Sequence, residues 1–341
     1  MKKIAIFNNK GGVSKTTSTF HIGWALANQG KKVLLVDGDP QCNLTELFLG
    51  SSFDTYYIDS KTKNNNLKDG SSAPFDGKLT PIDAIDCVQS QRQPNLYLLP
   101  GSLELADFDS QLNMAMTVPG ALKSMSSLPG AMNALVDKVA SKYGIDYILI
   151  DLNPGINSIN QVMLACSDGF IIPTNPDTFC IMAIRMLSTV LPKWNAWKKQ
   201  YESIFASSSY PLPTSTPKFI GTVIQRFNIR NGRPVNAHQQ NIDDINTTVT
   251  DTLIPKLSKA NMLFNQQEYE AAGIMPSYTL AQISEFNSLG AKSHQYNVPV
   301  FELSQSELGV TGVILQNTLE SQDNFRDTYN TTATKITSLL Q

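Results

Sequence analysis

Residues 9–17 read Asn9-Lys10-Gly11-Gly12-Val13-Ser14-Lys15-Thr16-Thr17, and the reading of this stretch decides the fold. It follows a short apolar run, Lys3–Asn8, with the character of a strand. It opens a helix-like segment, about Lys15 to Asn28, that Gly30 closes. Strand, glycine turn and helix in that order form the context of a phosphate-binding loop. Glycines let backbone N–H groups turn inward into an anion nest. The N-terminal end of the helix adds its positive pole. Lys15 is then expected to reach β- and γ-phosphates, and the Thr16 hydroxyl to coordinate Mg²⁺. The strict spacing G-x-x-x-x-G-K-[ST] is not met, because Asn9 and Ser14 stand where its two glycines would be.

Outward from this loop, short apolar runs alternate with helical ones. Further strands are predicted at Val33–Asp37, Leu96–Pro100, Tyr147–Asp151, Gly169–Pro173, Lys218–Phe227 and Val298–Phe301. Several are nearly continuous apolar runs, as strands buried on both faces should be. Helices are predicted at Ala131–Lys142 and Ile181–Tyr201, and a C-terminal one at 319–340, where Phe325, Tyr329, Ile336 and Leu340 recur at helical intervals. The alternation argues for an α/β fold with a mainly parallel sheet. Residues 51–77, rich in Ser, Asn, Asp and Gly, read as an insertion or mobile loop. No linker is long enough to separate two domains, so residues 1–341 are expected to form one.

Two more stretches carry acids at strand ends. The first is Asp37-Gly38-Asp39-Pro40-Gln41-Cys42-Asn43-Leu44-Thr45, and the second is Asp146-Tyr147-Ile148-Leu149-Ile150-Asp151-Leu152-Asn153-Pro154. A carboxylate in such a place can hold an attacking water or a Mg²⁺-bound water.

Together the three motifs resemble the deviant Walker A ATPases of the ParA/MinD family. The loop is similar to K-G-G-x-x-K-T-T with its additional lysine. The second motif resembles the D-x-D-P-Q-G-N-x-T switch of the ParA branch with Cys42 in place of Gly, and the third resembles the Walker B strand with Asn153 in place of the first Pro. The resemblance implies a P-loop NTPase fold, a twisted, mainly parallel sheet flanked by helices on both faces. It also implies a homodimer that clamps two ATP molecules, with Lys10 of each subunit reaching the other's phosphates. Under it Lys10, Lys15 and Asp39 are the catalytic residues, and Lys10, Gly11, Gly12, Val13, Ser14, Lys15, Thr16 and Thr17 bind ATP. Thr16, Asp39 and Asp151 hold Mg²⁺, partly through water, and Asp37 supports the metal shell. Phe219–Phe227 resembles the family strand where the base is held, which makes Gln225, Arg226 and Pro276 candidates for the adenine pocket.

With 27 Lys+Arg against 29 Asp+Glu and only 16% charged residues, the chain is neither a polycationic nucleic-acid wrapper nor an acidic disordered chain. The implied function is a weak, partner-stimulated ATPase that binds DNA non-specifically in its ATP-bound dimer. It would drive plasmid, phage or chromosome partition with a ParB-like, centromere-binding adaptor. DNA contacts are then sought at Arg230, Arg233, Lys256 and Lys259. A positioner of a protein cargo uses the same switch and is the alternative. A MinD-like membrane-cycling ATPase needs a basic amphipathic tail, and residues 325–341 carry only Arg326 and Lys335. The first nine residues contain two lysines and too short an apolar run for a signal peptide, so a cytoplasmic protein without membrane contact is expected; nucleoid association is what the resemblance implies.

Overall fold

A computed structural model describes residues 1–120, 123–230 and 233–340; the side chains of 123, 124 and 233 also lie outside the description. The main strands are β1 (Lys2–Ile6), β2 (Val33–Gly38), β3 (Val88–Gln89), β4 (Leu96–Leu99), β5 (Tyr147–Leu152), β6 (Gly169–Thr174) and β7 (Lys218–Phe227). Then come a small hairpin, β8 (Ile229–Arg230) with β9 (Arg233–Pro234), and an edge strand, β10 (Thr279–Ser284). The helices are α1 (Lys15–Asn28), α2 (Asn43–Leu49), α3 (Phe53–Ile58), α4 (Leu67–Ser71), α5 (Asp107–Thr117), α6 (Leu128–Tyr143), α7 (Ser158–Ala165) and α8 (Thr178–Gln200). They continue with α9 (Glu202–Ala206), α10 (Asn236–Thr248), α11 (Ile254–Lys259), α12 (Gln266–Ala271), α13 (Ser288–Tyr296), α14 (Gln305–Leu308) and α15 (Gly312–Leu339).

Eight strands form one sheet in the order β10-β7-β6-β1-β5-β2-β4-β3, and only the two-residue β3 runs antiparallel. The central strands are buried along their whole length, which explains their unbroken apolar sequences. Their side chains still alternate between two cores. Ala5, Leu34, Val36, Ile148 and Ile150 face one that includes residues of α5–α8, α10 and α11. Ile4, Ile6, Val33, Leu35 and Leu149 face another that includes residues of α1 and α15. Helices on both faces of a mostly parallel sheet are the layered arrangement the sequence pattern implies.

Three expectations change. Val298–Phe301 is not a strand. Its apolar residues Val298, Val300 and Phe301 are buried because they pack against α1 and α15, and the chain there makes a single 3₁₀ turn, Val300–Glu302. Pro299 has no N–H to give to a sheet ladder. The stretch expected as a loop, 51–77, carries α3 and α4 and buries Leu67. The closing helix also begins earlier than expected, at Gly312.

Parallel strands place their C-terminal ends on one rim, and ligand crevices in open α/β sheets form there. The register sets Asp37 beside Asp151 on neighbouring β2 and β5, and Ile6, the last residue of β1, beside Asp151 on the other side. The loop 7–14 therefore leaves the sheet next to its two acidic strand ends.

Candidate nucleotide site

The loop between β1 and α1 needs two residues in the left-handed region, Gly12 at φ 72° and Ser14 at φ 56°. Glycine adopts this freely; serine does so at a cost of about 1–2 kcal/mol. Asn175 Nδ2 donates to the Gly12 carbonyl at 3.0 Å, and buried Gln225 donates from Nε2 to Ser18 Oγ at 2.7 Å and to the Val13 carbonyl at 3.2 Å. Neighbouring elements thus hold the turn in place.

Lys15 is buried at the start of α1, and its Nζ donates to the Lys10 carbonyl at 3.2 Å across the loop. Burial pulls its ammonium below the ordinary lysine range, against the pull of Asp151 and Asp39. Thr16 Oγ1 donates to Asp151 Oδ2 at 2.7 Å. Asp39 is buried and accepts from the Gln41 N–H at 2.9 Å. Asp37 turns instead toward α2, accepting from Thr45 N (2.8 Å) and Thr45 Oγ1 (2.6 Å). With a third bond, accepted from the Asp39 N–H at 3.2 Å, it fixes the turn after β2. Cys42, where the family pattern has glycine, sits at φ 54° just before α2.

Three carboxylates therefore share one buried rim. Burial, then the charge of Asp37, pushes the Asp151 carboxyl up to about 8, and burial pushes Asp37 up to about 6. Such a site favours a cation. Among the described residues no group of three acids, histidines or cysteines could ligate a metal by itself. The donor set, one hydroxyl and two acids, suits Mg²⁺, which takes most of its ligands from phosphates and water.

A cleft of about 650 Å³ opens over the loop, lined by residues 11–17, Asp39, Pro154 and Arg226 among others. A second pocket of about 200 Å³ continues from it past Gln225 and Arg226 to Glu285, Phe286 and Asn287. Arg226 joins the two, with its NH1 donating to the Gly12 carbonyl at 3.4 Å and its Nε 3.4 Å from Glu285 Oε2. Of the three adenine candidates, Gln225 and Arg226 lie here. Pro276 does not: it precedes β10, at the opposite end of that strand from Glu285. The turn after β10 supplies the wall instead. Sequence reasoning missed it because Thr279–Ser284 carries a weak apolar pattern and does not read as a strand.

Of the candidate DNA contacts whose side chains are described, Arg230 and the pair Lys256 and Lys259 are not brought together. Arg230 is exposed beyond the C-terminal end of β7. Lys256 and Lys259 are exposed on α11, which leads to Met262, whose carbonyl pairs with Phe219 at the start of β7. Ten strand residues at roughly 3.3 Å each set these ends about 30 Å apart. Lys256 Nζ is also tied to Ser188 Oγ at 3.0 Å. The side chain of Arg233 lies outside the described residues.

Comparison with known proteins follows the same outline. A family model described as "AAA domain" matches residues 1–202. The sporulation initiation inhibitor protein Soj of Bacillus subtilis is 30% identical over 190 residues, covering 55% of this chain and 64% of Soj. The chromosome-partitioning ATPase Soj of Thermus thermophilus is 28% identical over 198 residues, covering 58% of this chain and 64% of that protein. The chain thus spans just under two thirds of the length of these curated relatives. Among solved structures, an ATP complex of a Cyanothece McdA variant superposes with a TM-score of 0.57 at 18% identity, covering 96% of each chain, a likeness of fold.

Proposed function

The chain belongs to the AAA domain family and, within it, to the ParA/MinD group of P-loop ATPases, and from that premise we propose that it is a ParA-like, ATP-driven dimerisation switch. ATP and Mg²⁺ close a homodimer, the closed dimer holds DNA non-specifically, and a ParB-like adaptor stimulates slow hydrolysis and release. The role is partition of a plasmid, phage or chromosome. The observation that carries this reading is the opposite course of the loop's two lysines. Lys15 is buried within its own loop, while the Lys10 side chain leaves it, its Nζ 2.6 Å from Asp177 Oδ2. One cation stays in the loop, where the phosphates bind in this reading, and the other lies outside the loop, paired at the start of α8 and not committed to its own phosphate site.

In this reading Lys15 and the loop N–H groups bind the phosphates, Thr16 and, through water, Asp39 and Asp151 hold Mg²⁺, and Asp39 positions the attacking water. The ion, when bound, neutralises charge on the phosphate oxygens. The T. thermophilus relative, a chromosome-partitioning ATPase, supports the partition role. The membrane-cycling alternative loses support from the fold, since Phe325, Tyr329, Ala333, Ile336 and Leu339 of α15 are buried against the protein.

The test is DNA binding with ATP, ADP and no nucleotide, on the wild type and Asp39→Ala. Binding only with ATP, made persistent by Asp39→Ala, is expected. Absence of ATP-dependent DNA binding would turn the reading toward a protein cargo or a different enzyme.

A further inference from the structure

Lys10 is engaged within its own chain. Its Nζ lies 2.6 Å and 2.8 Å from the two carboxylate oxygens of Asp177 and 3.4 Å from Cys180 Sγ. The Phe179 ring centroid is 5.6 Å away. All three partners come from Asp177 and the first turn of α8. Asp177 is at the same time the N-cap of that helix, accepting from the Cys180 N–H at 2.9 Å. The pair shifts both groups toward their charged forms: hydrogen bonding to Asp177 raises Lys10 against the opposing effect of burial, and the Lys10 contact lowers Asp177 against its own burial. The side chains are 27% and 36% exposed, so the pair is reversible rather than locked.

We propose that Asp177 is a positioning residue that parks the Lys10 ammonium on α8 in the resting subunit and must give it up before Lys10 can reach a second subunit's nucleotide. The proposal rests on the ATP-dimer reading above. Its physical basis is competition. The ammonium cannot satisfy a bidentate carboxylate and a γ-phosphate in another subunit at once. The parked pair therefore subtracts from the free energy of closing the dimer. An ion pair of this exposure biases an equilibrium by up to about fivefold. A symmetric dimer breaks two of them, so closure is weakened by up to about 25-fold. The cap itself is not spent: after Lys10 leaves, Asp177 still accepts from Cys180 N and keeps α8 in place. The arrangement keeps subunits apart until nucleotide is present on both.

The experiment uses Asp177→Asn on the full chain, because asparagine is also a strong N-cap and removes only the charge. Self-association is measured by sedimentation velocity over a protein dilution series with ATP and Mg²⁺, and again with ADP. A fluorescent ATP analogue measures nucleotide binding, and thermal melting confirms the fold. The expected result is an ATP dimer that forms at up to about 25-fold lower protein concentration than wild type, with no change in ADP. Asp177→Glu should restore the wild-type behaviour. The gain should vanish in Lys10→Ala/Asp177→Asn, which should match Lys10→Ala alone; a cap acting only on helix stability would not show this dependence. If the wild type associates on ATP and Asp177→Asn associates equally or less, the positioning role is refuted while the dimer reading stands. If both bind ATP and neither associates, the dimer reading is refuted, and the parking role with it.

Discussion

Asp151→Asn should make the nucleotide-free protein more stable at neutral pH while damaging its function. The carboxyl of Asp151 is fully buried beside Asp37, and it is pushed from the ordinary aspartate value up to about 8. Between about pH 4 and 8 the folded chain keeps the Asp151 proton that the unfolded chain has lost. Unfolding then releases a proton, and stability falls as pH rises, by about 1.4 kcal/mol per unit for one such group. From pH 5 to pH 7 Asp151 alone costs about 2–3 kcal/mol. Asp37, pushed up to about 6, costs about 1 kcal/mol more over the lower half of that window. Asparagine does not titrate, and its carbonyl can still accept from Thr16 Oγ1, which lies 2.7 Å from Asp151 Oδ2. Urea unfolding of both proteins at pH 5, 6 and 7, without nucleotide or Mg²⁺, should show a steep decline for wild type and a shallow one for the variant. Mg²⁺-dependent ATP affinity should move the other way, falling about 10- to 100-fold as expected for loss of a group that orients a metal's water. Parallel pH profiles for the two proteins would refute the claim that a buried, repelled carboxyl sits at this strand end.

Lys15→Ala should abolish binding of a fluorescent ATP analogue, whereas Lys10→Ala should retain it in the monomer and lose both the ATP dimer and hydrolysis; normal turnover by Lys10→Ala would break the assignment of that lysine. Ser14→Gly relieves a left-handed serine with no capping hydrogen bond, and chemical denaturation should find the variant about 0.5–1 kcal/mol more stable after glycine's unfolded-state freedom is subtracted. Arg230→Ala should weaken ATP-dependent DNA binding uniformly across sequences and reduce the slope of log K against log salt by about one, read from fluorescence anisotropy at several salt concentrations. An unchanged slope would remove Arg230 from the DNA surface.

Much of this molecule is written locally. Continuous apolar runs such as Leu34–Val36 and Ile148–Ile150 can only be strands covered on both sides, and the glycines and lysines of residues 10–15 announce a turn into a helix. The grouping of the residues expected around the phosphates was therefore legible, including Thr16 and Asp151, which meet across 135 positions. The second pocket was not. Its wall comes from Glu285, Phe286 and Asn287, whose strand β10 has only six residues and an exposed Gln282 in its middle. Pro276 was a candidate through the family resemblance, but parallel pairing puts it at the far end of the strand. Side-chain pairings were equally hidden: nothing in the spacing of Asp37 and Thr45, or of Lys10 and Asp177, says which acid caps a turn and which holds a cation. The separation of the basic residues was hidden for a similar reason. Sequence proximity of Arg230 to Lys256 conceals the return of the chain along β7 to the other rim.

The position of α15 ties the phosphate loop to the far end of the sequence. His21, one turn beyond the phosphate loop, accepts from the Val300 N–H at 3.1 Å, and its ring lies 5.1 Å from that of Phe286 and 5.0 Å from that of Tyr329. The helix that carries Lys15 and Thr16 is thus braced by residues nearly three hundred positions later in the chain. The rear face of α1 is covered only when residues 312–339 are packed in place. Loosening of α15 would therefore be felt at Lys15 and Thr16, at the opposite end of the sequence, and not only along the helix itself.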